Sequence, residues 1–400
     1  MPSPPGLPVV GMIGAGQLAR MTHPAAIELG QSLRVLAASS EDGAALVTPD
    51  VVIGDYTDPA DLARFAAGCD VVTFDHEHVP AEQITALAAA GHTVAPSAAA
   101  LRYAQDKRAM RERLVDLGIA VPRWAPITGG ADLRRFGDTV GWPVVVKAAR
   151  GGYDGHGVWF VDTPAAAAEI LRAGVPLIAE ERVALRRELA AVVARSPFGQ
   201  AASWPVVETV QHDGICVEVL APAPGLSDAL ARNAQELALR LAGDLGVVGV
   251  LAVELFETAE GLLVNELAMR PHNSAHWTIE GSRTSQFEQH LRAVLDYPLG
   301  ATRLTAPHVA MANVLGGPTT GAGSGTSTEE RLHHLMARWP DVKVHLYGKT
   351  SRPGRKIGHV TALGEDLAAV RVRARAAAYW LGHGSDAEPE PEPAEPAHQT

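Results

Sequence analysis

Val145-Val-Lys-Ala-Ala-Arg-Gly-Gly-Tyr-Asp-Gly-His-Gly157 decides how this chain is read. The apolar run Pro143 to Lys147 precedes four glycines, and Val158 to Val161 follows them, so two strands are joined by a glycine-rich flap. Backbone amides in such a flap can close over phosphates, with Lys147 supplying a point charge beneath. An ordinary hairpin loop is the plainer alternative. Tyr153 and Asp154, two directional polar groups at the tip, weigh against it.

Downstream, AVELF and LLVNEL hold Glu254 and Glu266, separated by a turn-like Thr258 to Gly261. A turn centred near residue 260 sets the two carboxylates opposite each other on one face, with Cβ atoms about 5 Å apart. Hard oxygen ligands at that spacing suit Mg²⁺ shared with a polyphosphate, whereas a surface hairpin with acidic residues is the bland reading. Residues 270 to 290 then crowd amide, imidazole, hydroxyl, guanidinium and indole groups into one stretch. Buried without partners, such groups cost a few kcal/mol each, so the stretch reads as the wall of a polar ligand site. Its second half, Thr284 to Arg292, reads as a supporting helix in which Gln286 and His290 are structural.

Near the N-terminus, Gly14-Ala15-Gly16-Gln17-Leu18-Ala19 follows an apolar run and opens a helical pattern, a place where amides can meet a phosphate. A plain tight turn remains open. A dinucleotide is not compelled, because Ser39 and Ser40 fall where the acidic ribose ligand is expected. Further along, Arg352-Pro-Gly-Arg-Lys356, with Lys349 upstream, is a compact basic turn in a chain of net charge −11. It is either an anion clamp or a solvated loop.

The organisation around these motifs is α/β, then α+β. Residues 1–103 alternate apolar runs, at 9–14, Leu33 to Ala37, Val51 to Ile53, Cys69 to Phe74 and His92 to Ala95, with Ala-rich helical patterns, a Rossmann-like domain with a parallel sheet of four or five strands. A charged helix over Ala104 to Leu117 opens a strand-rich domain over 104–298, with further strands expected at Leu177 to Glu181, Glu188 to Arg195, Ser203 to Thr209, Gly249 to Phe256 and Gly261 to Leu267 and an amphipathic helix over Asp228 to Leu245. Residues 299–382 form a small α+β cap with a mobile loop at Gly316 to Thr328, and 383–400 form a Pro/Glu-biased disordered tail. The acidic balance argues against nucleic acid or an anionic membrane surface as the main partner. Cys69 and Cys216 read as buried inert thiols. With no basic leader and no long apolar window, a reducing cytoplasmic setting is expected.

Together the motifs GAGQLARM (14–21), FDHEHVP (74–80), QDK (105–107), VVKAARGGYDGHG (145–157), GVVGVLAVELF (246–256), NELAMRPHNSAHWT (265–278), TSQFEQHLRA (284–293) and YGKTSRPGRKIGHV (347–360) resemble the ATP-grasp superfamily. Within it they are similar to the N5-carboxyaminoimidazole ribonucleotide synthetase family. The likeness runs to about residue 380, and its specific strings are GGYDG, HNSxHW and RPGRKxGH.

The resemblance implies a preATP-grasp domain, an ATP-grasp domain and a cap. It also implies an ATP- and bicarbonate-dependent carboxylation of 5-aminoimidazole ribonucleotide through carboxyphosphate. Lys107, Lys147, the flap Gly152, Tyr153, Asp154, Gly155, His156 and Gly157, then Glu180, Glu181, Arg182, Val183, Glu188, Asn265 and Glu266 would hold ATP. Glu254 and Glu266 would hold Mg²⁺. Gly16, Gln17, Leu18, Glu77, Asn273, Ser274, Lys349, Arg352, Arg355 and Lys356 would bind the ribonucleotide, the last four at its 5′-phosphate. Tyr153, Asp154, Arg270 and His272 would be catalytic, and a homodimer is implied.

Three alternatives stay open. A related ligase for another purine-pathway ribonucleotide would share the ATP machinery. A nicotinamide-dependent oxidoreductase would use Gly14 to Ala19 but leave Lys147, Glu254, Glu266 and the basic turn idle. A non-catalytic nucleotide-binding protein would follow if substitutions in the flap, such as His156, disabled it.

Overall fold

A computed structural model describes residues 6–152, 156–317 and 325–386. The chain divides into two compact units, residues 1–305 and 306–400. The first contains three sheets. Strands β1 (Val9–Ile13), β2 (Ser32–Ala37), β3 (Asp50–Ile53) and β4 (Val71–Phe74) form a parallel sheet in the order β3-β2-β1-β4. All five residues of β1 are buried, as a central parallel strand requires. The expected strand at His92 to Ala95 contributes only a parallel bridge from Val94 to Val72 before the turn into Pro96.

The expected charged helix over Ala104 to Leu117 is broken. One helix spans Ala98–Gln105 and a second Lys107–Asp116. Asp106 between them is extended, and its Oδ1 accepts from the amides of Arg108 at 3.0 Å and Ala109 at 3.1 Å. An aspartate that caps the following helix ends the preceding one, because its φ and ψ leave the helical region. Lys107 thereby becomes the first residue of a new helix.

A second, antiparallel sheet joins β5 (Trp124–Ile127), β6 (Val144–Ala148), β7 (Val158–Val161) and β8 (Leu177–Glu181) in the order β5-β8-β6-β7. The third sheet contains β9 (Arg187–Arg195), β10 (Ala201–Ser203), β11 (Val207–His212), β12 (Ile215–Ala221), β13 (Gly249–Glu257) and β14 (Leu262–Ala268). Within this unit it runs β14-β13-β9-β11-β12, with β10 along β9. The strand expected over Ser203 to Thr209 is split into β10 and β11 around Pro205, which has no amide to give a ladder. The amphipathic helix forms as Asp228–Asp244, capped by Ser227, and buries Ala234, Ala238 and Leu241.

In the second unit β15 (His308–Leu315), β17 (Lys356–Gly364) and β16 (Lys343–Leu346) lie side by side, and the helix Leu367–His383 packs on β15 and β17. Part of the expected loop at Gly316 to Thr328 and most of the expected tail fall outside the described residues. No helix among the described residues is long and apolar enough to cross a membrane.

Candidate active site

Lys147 is the next-to-last residue of β6, and the antiparallel register of β6 with β8 pairs Val145 with Glu180. The Lys147 ammonium lies 2.7 Å from Glu180 Oε2 and donates to Asn265 Oδ1 at 3.0 Å. Arg111, four residues into the new helix, donates from Nε to Glu180 Oε1 at 2.7 Å and from Nη2 to the Asn265 carbonyl at 2.7 Å. The Glu180 side chain is 2% exposed and that of Arg111 1%. Burial pushes the Glu180 carboxyl up, but Lys147 and Arg111, by charge and hydrogen bond, outweigh it and hold the group below its ordinary value. Glu180, expected as a nucleotide ligand, therefore has its carboxylate committed to positioning Lys147. The Glu181 carboxylate is likewise taken, by the Arg123 amide at 2.8 Å and guanidinium at 2.6 Å, which leaves backbone groups for any ligand.

β13 and β14 pair as the sequence reading requires, with Glu254 directly across from Glu266. The next register pair is Leu255 with Val264, so Asn265 is an extra residue, a β-bulge. In a regular strand Asn265 and Glu266 would face opposite sides. The bulge lets both serve one site: Asn265 meets Lys147, while Glu266 Oε1 accepts from the Lys107 ammonium. Burial raises the Glu266 carboxyl, but Lys107, with Lys147 and Arg111 behind it, brings the net shift below the ordinary value. Its side chain is still 37% exposed, so the carboxylate remains open to a cleft.

Glu188 on β9 also feels Lys147, and Gln211 on β11 hydrogen-bonds it. Burial still leaves its carboxyl above the ordinary value. Among the described residues no group of three or more His, Cys, Asp or Glu side chains gathers as metal ligands. Glu254 and Glu266 are thus a two-carboxylate set. That donor chemistry fits a hard cation that takes its other oxygens from phosphates and water.

The flap is rooted on the same helix start. The Lys107 amide donates to the Ala149 carbonyl at 2.8 Å, and the Ala148 amide to Gly157 O at 2.8 Å. A Cβ on Gly152 would meet the His156 carbonyl at 2.8 Å and Lys107 Cε at 3.9 Å, so the flap backbone lies close over that lysine. His156 is exposed. Tyr153, Asp154 and Gly155 lie outside the described residues. Arg182 is exposed and Val183 half-buried on the segment after β8.

Beyond β14, the polar run folds as a supported wall. Glu77 accepts from the Met269 amide at 2.7 Å and lies 3.6 Å from Arg270 Nε, so these two expected ligand residues face each other. His272 Nε2 is 3.5 Å from Glu254 Oε1, and its Nδ1 is 2.9 Å from Ser274 Oγ. Asn273 and Ser274 open a short 3-10 turn, with Asn273 half-buried and Ser274 buried. Gln286 and His290 are fully buried, in keeping with the structural part expected of them. His290 joins Thr73 Oγ1 at 2.8 Å to the Val250 amide at 3.2 Å.

The glycine loop departs from the phosphate reading. Gly16 N and, at 3.1 Å, Ala19 N donate to the carboxylate of buried Asp75, at the end of β4. Two amides at the start of the helix Gln17–Glu28 are thus satisfied by an internal anion, which also meets the positive end of the helix. A Cβ on Gly16 would sit 2.6 Å from Asp75 Oδ2, so this glycine makes room for an aspartate. Leu18 is buried, leaving only its backbone for a ligand, whereas the Gln17 side chain reaches His276. Cys69 is half-buried, and burial pushes its thiol up to about 11, consistent with an inert role. In the second unit Arg352 and Arg355 are exposed and Lys349 and Lys356 half-buried, around a turn whose Gly354 amide donates to Gly316 O at 2.9 Å.

Arg111, Asp75 and Gln211 are the site residues that sequence reasoning missed. Arg111 had a visible signal, since it stands four residues after Lys107 on one helical face. Asp75 had one too, in the FDH that closes an apolar run.

A Lys-bearing antiparallel sheet under a glycine flap, facing a strand pair with opposed carboxylates, defines an ATP-dependent ligase of the ATP-grasp class. Family models agree in chain order. The ribonucleotide synthetase preATP-grasp domain matches residues 7–105, the ATP-grasp domain 112–287, and the phosphoribosylaminoimidazole carboxylase C-terminal domain 309–373.

The chain belongs to the N5-carboxyaminoimidazole ribonucleotide synthase family. It is 63% identical over 366 residues to the Mycobacterium tuberculosis protein of that name, covering 90% of this chain and 85% of the relative. The crystal structure of the Thermus thermophilus synthetase is 39% identical, with a TM-score of 0.82 over 92% of this chain and 97% of that one. A structure from Aspergillus clavatus in complex with ADP and 5-aminoimidazole ribonucleotide is 32% identical, with a TM-score of 0.83 over 93% and 97%.

Proposed function

We propose that this chain carboxylates the exocyclic amine of 5-aminoimidazole ribonucleotide with bicarbonate in purine biosynthesis, converting ATP to ADP and phosphate. The observation that carries the reading is the convergence of Lys107 and Lys147 on the Asn265–Glu266 edge, opposite Glu254. Family membership narrows the acceptor to the aminoimidazole. Bicarbonate oxygen attacks the γ-phosphorus of ATP and ADP leaves, giving carboxyphosphate. The amine then attacks the carboxyl carbon, phosphate departs, and the nitrogen gives up a proton.

In this reading Lys107, Lys147, the flap, Glu188, Asn265 and the backbone of residues 180–183 bind the nucleotide. Mg²⁺ bound at Glu254 and Glu266 would neutralise phosphate charge. Glu77, Arg270, His272, Asn273 and Ser274 line the ribonucleotide side, with the loop of Gly16, Gln17 and Leu18. The basic turn of Lys349, Arg352, Arg355 and Lys356 holds the 5′-phosphate, a reading supported by its charge in an acidic chain. Tyr153 and Asp154 handle the amine proton. Normal carboxylation by both Tyr153→Phe and Asp154→Asn would remove them from that role. A cytoplasmic homodimer completes the proposal.

The test measures ADP formation with each substrate omitted, alongside capture of the labile carboxylated product. Turnover that needs ribonucleotide and bicarbonate together is expected. Hydrolysis indifferent to both, or stimulation by NADH instead, would overturn the assignment.

A further inference from the structure

Gln286 is fully buried at the start of the helix Gln286–Val294, and its amide orientation is fixed by the main chain. Its Oε1 accepts from the His272 amide at 2.8 Å, and its Nε2 donates to the His272 carbonyl at 2.8 Å. A peptide N–H can only donate and a carbonyl can only accept, so the side-chain oxygen and nitrogen cannot be exchanged. The same Nε2 lies 2.9 Å from His276 Nδ1, inside the core.

An NH₂ group facing Nδ1 requires that nitrogen to be an acceptor. The His276 ring is then neutral and carries its proton on Nε2. That Nε2 lies 3.5 Å from Gln17 Nε2, on the glycine loop of the preATP-grasp domain, a contact that sets one N–H donor against another. The oxygen and nitrogen of that amide are interchangeable in shape, and of its two orientations only the one that turns the oxygen toward His276 can accept an N–H there.

We propose that Gln286 is a positioning residue that fixes the His276 tautomer and, through it, turns the Gln17 NH₂ away from His276 as a donor to an acceptor oxygen of the ribonucleotide. The donor step rests on the reading that this loop meets the ribonucleotide, and the tautomer step does not. The chain of contacts runs from the His272 backbone, beside Glu254, to the glycine loop, so one buried amide serves both walls of the site.

The test uses the full chain with ¹⁵N-labelled histidine and long-range ¹H–¹⁵N correlation, the His276 signals being assigned by their loss in His276→Asn. Nδ1 should be unprotonated and Nε2 protonated in the ligand-free protein. Gln286→Glu presents only acceptors, and should move the proton to Nδ1. Gln17→Glu keeps an acceptor for His276 but loses the NH₂. It should leave the tautomer unchanged and raise the ribonucleotide KM roughly tenfold, the worth of one hydrogen bond, with the ATP KM within about twofold.

A protonated Nδ1 in the wild-type chain would overturn the proposal, as would Gln17→Glu with an unchanged ribonucleotide KM. If Gln286→Glu does not fold, the wild-type spectrum and Gln17→Glu decide. Failure of ribonucleotide-dependent turnover in the wild-type chain would strike the functional reading and leave the spectrum to judge the tautomer.

Discussion

Arg111 and Glu180 form an ion pair with both side chains out of solvent, Nη2 to Oε1 at 2.7 Å. The pair lies behind Lys147, which shares the same carboxylate. Removing one partner of a buried pair leaves an uncompensated charge, at about 3–5 kcal/mol. Arg111→Met is therefore expected to lower the unfolding free energy from urea titration by up to that range, and to raise the ATP KM because Glu180, no longer held by Arg111, positions Lys147 less firmly. A loss below about 1 kcal/mol would show that the pair is incidental.

The opposed carboxylates make a second expectation. Glu254→Gln and Glu266→Gln should each shift the Mg²⁺ requirement of ATP turnover to higher concentration and lower kcat by at least about 100-fold. The two should differ in folding. Glu266→Gln also leaves the Lys107 ammonium without its carboxylate, whereas Glu254 lies across the hairpin against His272. A Mg²⁺ titration curve that neither variant moves would remove the metal from this pair.

Acid should loosen the first unit through His290. Burial lowers its imidazole from 6.5 to about 4, and Val250 N–H occupies Nδ1. The unfolded chain thus binds the extra proton more readily, so stability is complete above pH 6.5 and falls as pH drops from there toward 4. The loss is about 3 kcal/mol for this residue. His76, also lowered to about 4 by burial, with His78 and Arg270 adding, acts in the same direction. Chemical denaturation at a series of pH values should give a shallower slope in this window for His290→Gln. An unchanged slope would assign acid sensitivity elsewhere.

Gly16 and Asp75 should be coupled. Gly16→Ala places a methyl 2.6 Å from Asp75 Oδ2 and is expected to cost about 1–3 kcal/mol. Asp75→Ser should cost about 1–2 kcal/mol through the lost cap. Because the first defect is a clash with the second residue, the double variant should be less destabilised than the sum. Strict additivity in the thermal midpoints would contradict the packing described.

The sequence showed the strands well because apolar runs mark them directly. β2, β8, β13 and β14 lie within a residue or two of the expected runs. It also showed Glu254 opposite Glu266, since a hairpin centred near residue 260 leaves little choice of register. It did not show what depends on a partner far along the chain. Asp75 meets Gly16 across 59 positions and Arg111 meets Glu180 across 69, and no local pattern records either. Asp106 was legible in principle, but a charged helical pattern on both sides hid its role as a cap.

The bulge at Asn265 makes the hairpin divisible. With Glu254 paired to Glu266 and Leu255 to Val264, deleting residue 265 would restore an unbroken ladder in which the two glutamates still face each other. The amide beside Lys147 would disappear, together with the carbonyl that accepts from Arg111. Insertions or deletions, usually ruinous inside a strand, have here one position where they separate the carboxylate pair from the lysine's hydrogen-bond partner. The chain thus holds those two parts under independent hereditary control.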